Sequence, residues 1–573
     1  MFPTDLDFSF KKFFVPLTTI KAIHIIIIVG IIVFCNMLFN GFVWDDKQYI
    51  LQNQSLHAFN FANLVGPNMF NTAGQYRPIP ALYFSLLYTF FQDHAFFYHF
   101  FSLGIHITNA SLLFFVLKKY FSKQIALFLS LIFLVHPIQV ESVTYIAAAG
   151  NLLFFSFGIL ALLLNSVVRI STKRLAGIFL LILLSLLSKE TGILFLLIAL
   201  LQRFLFGKQQ RVIFVLCASA TLLIYFVLRF VIGEVYFAKL PLIPIARLSL
   251  QERLLNVPMV IYYYIKTFFF PLELAVAQQW VITRITFSTF FFPLLIDLFF
   301  FSSLVTNGYF LYKKHLKEFY IYLFFFIWLA LGLGMYSQIY PLDNTIADRW
   351  AYFPLAGFLG LVGIIINQIC NYKKKYIPYL YALLIFIVCL LSIRTMVRNA
   401  DWVNAITLFT NARRVQDNYD VEYYLGGEYI EQKQYDEALK HYYKSVELFP
   451  YEFNIYNIGY VYELKGNLKK AEDYYYKALQ VKSYFSKPKY SENTYGRLAY
   501  VLLQQHKYQE ARTAIYRGLA EHPNSKSLWY FLAITEKNLQ HHKEALKAAE
   551  QAKYFWPGQQ TEMLYEQISN ERN

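Results

Sequence analysis

The sequence predicts an all-α protein: a polytopic membrane domain of about eleven spanning helices, followed by a solenoid of stacked helical pairs. Three observations predict it. Of the 573 residues, 57% are hydrophobic, 19% aromatic and only 15% charged, a composition foreign to soluble domains. Charges are sparse between apolar runs up to about residue 395 and dense beyond it; this divides the chain into a membrane domain over 1–396 and a repeat domain over 397–573. After residue 400, small residues recur at a spacing of about 34.

The spans are read as apolar runs of roughly 20 residues. They fall at 17–39, 97–117, 125–145, 150–168, 175–188, 191–206, 212–232, 290–311, 319–338, 350–369 and 376–395. The run Leu17–Phe39 has no small-residue cleavage site after it, so it reads as an uncleaved first span. The net charge of +16 lies largely in short clusters between spans, which sets orientation and needs no nucleic acid. The clusters are Lys11, Lys12 and Lys21; Lys118, Lys119 and Lys123; Arg169, Lys173 and Arg174; Arg203, Lys208 and Arg211; Lys313, Lys314 and Lys317; and Lys373, Lys374 and Lys375. They occupy every second loop. With the N-terminus inside, the odd number of spans puts the repeat domain outside: in the periplasm of a bacterial inner-membrane protein, or in the lumen of the endoplasmic reticulum of a eukaryotic one.

Two apolar stretches, Tyr76–Phe91 and Leu254–Val276, break this alternation if only one is counted, and read as surface helices in large outer loops, with a true span as the alternative for the second. Spans five and six are short, so the turn Ser188-Lys189-Glu190-Thr191 is expected below the outer membrane surface, where a charged residue is a functional candidate. The four cysteines show no CxxC spacing and imply neither a disulfide framework nor a zinc site.

In the C-terminal part, Ala438, Ala471, Ala511 and Ala545 mark second helices, and Leu425-Gly426, Ile458-Gly459, Leu498-Ala499 and Leu532-Ala533 mark first helices. Pro450, Pro523 and Pro557 close helices. The pattern resembles the tetratricopeptide repeat, with four units, room for a loop near Tyr484–Tyr490 and a leading half-repeat over Trp402–Val415 that caps the stack. Such a solenoid presents a concave face that binds an extended peptide or serves as a scaffold.

Candidate chemistry clusters at the outer face. Asp45 and Asp46 follow the first span directly; a carboxylate there can take a proton from a hydroxyl acceptor, though most such pairs are solvated surface residues. His136 and Glu141 lie on the turn His136-Pro137-Ile138-Gln139-Val140-Glu141-Ser142. Lys189 and Glu190 form either a phosphate site or an internal ion pair. Arg349, beside Asp348, reads as a phosphate clamp or an interfacial anchor. An acid pair, a His, a Glu and two cations at one face suit transfer from a lipid-linked phosphate donor to a hydroxyl. No Gly-rich phosphate loop, GxSxG or HExxH is present, so the common soluble chemistries have no support.

The runs Phe42-Val43-Trp44-Asp45-Asp46, Tyr76-Arg77-Pro78, Leu134–Val143, Ser188-Lys189-Glu190-Thr191, Asp348-Arg349-Trp350-Ala351-Tyr352 and Arg398-Asn399-Ala400-Asp401-Trp402, in this order, resemble the TMTC family. These are transmembrane and tetratricopeptide-repeat proteins related to protein O-mannosyltransferases. The resemblance implies a GT-C glycosyltransferase fold, a hexose donor (mannose-like) on polyprenyl or dolichyl phosphate, and Ser/Thr hydroxyls of a protein as acceptor, with inversion. It makes Asp45 and Asp46 catalytic, Asp45 as base and Asp46 supporting. It gives Arg349, Lys189 and Arg77 to the donor phosphate, with His136, Glu141, Glu190 and Asp348 as supporting site residues. Where the family reads Gly-Arg-Ala-Asp-Leu-Leu, this chain has Ala148-Ala149-Gly150-Asn151-Leu152-Leu153, which bears on sugar or acceptor identity. With the short repeat array, it points to a bacterial relative using undecaprenyl phosphate.

Two other classes stay open: a transferase to a lipid or cell-wall glycan, and a non-enzymatic membrane scaffold. A divalent metal beside the acid pair is compatible with the sequence but not demanded by it.

Overall fold

Hydrocarbon offers a backbone N–H or C=O no partner, so apolar runs that cross a membrane close their hydrogen bonds internally as helices. The structure, a computed structural model, describes residues 17–57, 59–66, 74–167, 169–207, 210–236, 243–372, 374–481 and 491–570. Lys11, Lys12, Lys208 and Lys373 of the orientation pattern, and the loop near Tyr484–Tyr490, lie outside them. Among the described residues every named element is a helix. The chain divides into two compact units, Met1–Val415 and Gln416–Asn573. The first unit therefore runs past the 396/397 boundary and includes the segment expected to cap the repeats.

Among the described residues, eight helices are long and apolar enough to cross a membrane: Thr19–Phe39, Ala95–Leu117, Ile146–Asn165, Arg211–Ile232, Phe287–Lys314, Leu316–Met335, Asp348–Asn371 and Ile377–Ala400. A ninth results if Lys123–Val135 and Pro137–Val143, bent by 51°, count as one span. The bend falls where Pro137 withdraws a backbone donor and His136 turns extended. The count is below the eleven expected, and the difference lies in 175–188 and 191–206. These fold as helices Thr172–Ser188 and Ile193–Phe206, of 17 and 14 residues. They rise about 25 and 21 Å, short of the ~30 Å core. The turn between them is tight: a Cβ on Gly192 would lie 2.5 Å from the Ser185 carbonyl carbon, so only glycine fits. Neither Pro78–Phe91 nor Leu250–Phe269 meets the requirements of a span.

Inside the first unit, buried amides hold helices together where hydrophobicity gives no preference for protein over lipid. Asn36 Nδ2 donates to the Met396 carbonyl at 2.8 Å and Asn40 Nδ2 to the Asn399 carbonyl at 2.9 Å. Asn399 donates to Asn36 at 3.1 Å and accepts from Thr144 at 2.8 Å. Three distant segments thus meet beneath the acid pair.

The second unit contains four antiparallel helix pairs: Tyr419–Glu431 with Tyr435–Leu448, Glu452–Leu464 with Leu468–Gln480, Ser491–Gln504 with Tyr508–Glu521, and Lys526–Asn538 with His542–Phe555; Gln559–Asn570 follows. Ala438, Ala471, Ala511 and Ala545 are fully buried, as close helix approach requires.

Candidate functional site

Asp45 and Asp46 stand at the end of the first span, just after Trp44, whose φ of 53° is uncommon for a bulky residue. This strained residue sends the two carboxylates to different environments. Asp46 is fully buried and accepts backbone N–H groups on both oxygens, from Val43 at 3.1 Å and Ala147 at 2.7 Å. Burial pushes its carboxyl up to about 8, the two N–H groups opposing only part of that shift. Asp45 is half-buried, and its one hydrogen bond among the described residues comes from the Tyr145 hydroxyl at 2.8 Å. Burial raises Asp45 above the carboxylate range; the Tyr145 bond and the charge of Arg349 pull it back, while Asp343 adds to the rise. Tyr49, one turn on, is pushed up to about 12 by burial and then by Asp45.

Arg349 is set by its neighbours. Its guanidinium pairs with Glu141, which is 1% exposed, and reaches Asp343 at 3.4 Å; Glu141 also accepts the Arg349 backbone N–H at 3.1 Å. The guanidinium lies 5.7 Å over the Trp44 ring. The loop that carries Asp343 is fixed by Gln279, which donates to the Asp343 carbonyl at 2.8 Å, and by a Thr345-to-Gln278 backbone bond of 3.0 Å.

Lys189 and Glu190 do not pair with each other. Lys189 has extended backbone (φ −162°, ψ 142°), so the two side chains diverge. Lys189 is buried and donates to Asn151 Oδ1 at 2.5 Å. Glu190 accepts from Arg77 at 3.0 Å and from the Tyr76 N–H at 3.1 Å, and sits 3.5 Å from Arg229. The internal Lys189–Glu190 ion pair is therefore not formed, and Lys189 has a neutral acceptor in place of a counter-ion. Arg77 and Arg349 both act electrostatically on Lys189, and Asp45, Arg77 and Arg349 all act on Tyr49. The structure thus brings Asp45, Arg77, Lys189 and Arg349 into one electrostatic neighbourhood, with Glu141 and Glu190 behind the arginines.

His136 and Asp348 are placed differently. His136 accepts the Ile138 N–H on Nδ1 at 3.3 Å, and Nε2 faces the Phe268 carbonyl at 3.3 Å, which assigns the proton to Nε2. Both nitrogens are used in fixing the bend. Asp348 is buried; it accepts from Tyr263 at 2.5 Å and lies 3.8 Å from Arg398, which also binds Asp401 at 2.9 Å. Arg229, which sequence reasoning missed, signalled itself only as an arginine inside the apolar run Leu228–Ile232. Tyr145, also missed, carries no such signal. Among the described residues, no group of three or more His, Cys, Asp or Glu side chains is arranged to hold a metal ion.

Two tetratricopeptide-repeat family profiles match residues 451–520 and 497–559. Over an alignment of 636 positions the chain is 26% identical to human Protein O-mannosyl-transferase TMTC3, covering 93% of this chain and 68% of the relative. It is 25% identical to Protein O-mannosyl-transferase F38B6.6 of Caenorhabditis elegans, covering 75% of this chain and 63% of the relative. It is likewise 25% identical to mouse Protein O-mannosyl-transferase TMTC3, with 79% and 54% covered. The chain thus spans roughly half to two thirds of these relatives. Among solved structures, YrrB, a TPR protein with an unusual peptide-binding site, is similar at 18% identity and a TM-score of 0.25, covering 36% of this chain and 97% of YrrB. This integral membrane chain is therefore similar over most of its length to proteins named protein O-mannosyl-transferase, with a tetratricopeptide-repeat match in its second unit and apolar helices of membrane-crossing length in its first.

Proposed function

We propose that the protein is a membrane glycosyltransferase. It moves a mannose-like hexose from a polyprenyl-phosphate donor to Ser/Thr hydroxyls of extracytoplasmic proteins, with inversion. The N-terminus lies in the cytoplasm, the repeats lie in the periplasm or lumen, and their concave face holds the acceptor. The acceptor oxygen attacks the anomeric carbon, the carbon–phosphate oxygen bond breaks, the hydroxyl proton passes to the Asp45 carboxylate, and lipid phosphate leaves. The donor phosphodiester carries one negative charge and the departing phosphate two. Cations therefore act more strongly on the leaving group than on the donor, which is what catalysis requires. Arg349, Lys189 and Arg77 take that role, and Asp46 fixes the acid loop.

The observation that carries this reading is the partly exposed Asp45 carboxylate in the field of Arg349, which also acts on Lys189, a lysine with no carboxylate partner among the described residues. The names of the relatives supply the reaction class. The test compares the extracytoplasmic glycoproteome of the native host with that of a strain carrying Asp45→Asn and Asp46→Asn at matched protein level. Loss of specific Ser/Thr-linked sugars supports the reading and names sugar and acceptors together. An unchanged glycoproteome overturns it; altered glycolipids would then indicate a lipid or glycan acceptor, and retained protein partners alone a scaffold.

A further inference from the structure

Tyr145 is buried, and its ring stacks with two indoles drawn from far apart in the sequence. Trp44 stacks on it with ring centroids 5.2 Å apart at 16°, and Trp402 at 5.5 Å and 28°. Trp44 is itself held edge-on by Phe409 at 6.2 Å and covered by the Arg349 guanidinium. A buried ring stacked with two indoles keeps one orientation, so its O–H points in one direction. That direction is Asp45 Oδ2, 2.8 Å away. Burial alone would not need the hydroxyl, and a buried hydroxyl would not need two indoles.

We infer that Tyr145 is the positioning residue of the acid loop: its hydroxyl, aimed by stacking with Trp44 and Trp402, holds Asp45 Oδ2 and so presents Oδ1 to the acceptor hydroxyl. This rests on the glycosyltransferase reading above. The charged and titratable groups facing Asp45 are Tyr145 from the turn before Ile146, Arg349 and Asp343 from the loop between Met335 and Tyr352, and Asp46 and Tyr49 from its own segment. Tyr145 and Arg349 favour the ionised base, while burial and Asp343 oppose it. Removing the hydroxyl therefore makes Asp45 harder to ionise.

The test uses the full chain in proteoliposomes, with polyprenyl-phosphate mannose carrying labelled mannose as the probe and the host's extracytoplasmic proteins as acceptor. Tyr145→Phe keeps the stacked ring and removes one oxygen. The acid limb of kcat/KM against pH should move up by about one pH unit, so transfer below the limb falls about tenfold, with the donor KM within about twofold of wild type. If Tyr145→Phe accumulates poorly, Trp402→Leu, which removes one stacked indole and keeps the hydroxyl, is read in the same way. An upward displacement of the limb supports the inference; a limb that does not move in a folded variant overturns it. Asp45→Asn separates the two levels of argument. If it transfers like wild type, the assignment of the base itself fails. If it is inactive while the Tyr145→Phe profile superimposes on wild type, only the positioning role falls.

Discussion

Replacing Arg349 by methionine separates a phosphate-binding role from a purely internal one. The side chain is 12% exposed and its guanidinium neutralises Glu141, which is 1% exposed. Arg349→Met leaves that carboxylate buried with the backbone N–H of residue 349 as its remaining partner in this loop. Stranding one member of a buried pair costs about 3–5 kcal/mol. Loss of the cation over Trp44 adds about 0.5–2 kcal/mol. The thermal midpoint in detergent should fall by on the order of 10 °C. The double variant Arg349→Met, Glu141→Gln removes the stranded charge, and the amide oxygen still accepts the backbone N–H, so most of the stability should return. Activity should not return with it. If Arg349 stabilises the leaving phosphate, both variants stay down roughly 10²–10³-fold, the scale of one lost transition-state donor. The acid limb should also rise, because Arg349 favours the ionised form of Asp45. The assay is labelled-mannose transfer in proteoliposomes, normalised to folded protein. Recovery of transfer together with stability in the double variant would refute the reasoning and leave Arg349 as the counter-ion of Glu141 alone.

Three further outcomes are expected. Asp46 titrates near 8 in the folded chain against a usual 3.8, so its contribution to stability is complete below about 3.8 and is lost as pH rises through about 8. The thermal midpoint should fall across that window, and Asp46→Asn, which does not titrate, should flatten the slope; an unchanged slope would remove Asp46 as its source. His136→Ala strips the Ile138 N–H and the Phe268 carbonyl of their partner, so it should lower stability by about 1–3 kcal/mol while activity per folded molecule stays within about twofold. A specific loss of kcat would instead place the imidazole in the reaction. Asn151→Asp supplies Lys189 with a carboxylate in place of an amide. Isothermal titration with a polyprenyl-phosphate sugar should then show roughly tenfold weaker donor binding, about 1.4 kcal/mol, and unchanged affinity would exclude Lys189 from the phosphate site.

The elements were legible wherever composition and period decide them. Apolar runs became helices near the residues read from the sequence, because a backbone in hydrocarbon has no alternative. The repeat pairs followed from Ala438, Ala471, Ala511 and Ala545, since close helix contact tolerates only small side chains at those positions. The number of spans was harder to read. Hydropathy measures how apolar a run is, and the two helices on either side of Lys189 are apolar enough but rise too few ångströms. The segment Trp402–Val415 carries repeat-like polarity, yet Trp402 is fully buried against Tyr145 and the segment belongs to the first compact unit. A local pattern does not say which of two units will take an amphipathic helix.

Residue types at the site were legible, but their pairings were not. Charged residues confined to one set of loops in an apolar chain are few, so Asp45, Arg77, Lys189 and Arg349 stand out by residue type and position alone. Adjacency then misleads. Lys189 and Glu190 look like an ion pair in sequence, but one extended residue between two helices points their side chains apart, one to Asn151 and the other to Arg77 and Arg229. Asp45 and Asp46 look equivalent, yet the left-handed Trp44 before them gives one to the backbone and the other to Tyr145. In both places the decisive variable is a single backbone dihedral at a break between helices, which no periodicity encodes. The same breaks give the four charges different partners: Glu190 is held by Arg77 and Arg229 and Asp46 by backbone N–H groups, while Lys189 and Asp45 each have a neutral hydrogen-bond partner. A site built this way can be dismantled by altering the backbone at residue 44 or 189 without removing any of its charged side chains.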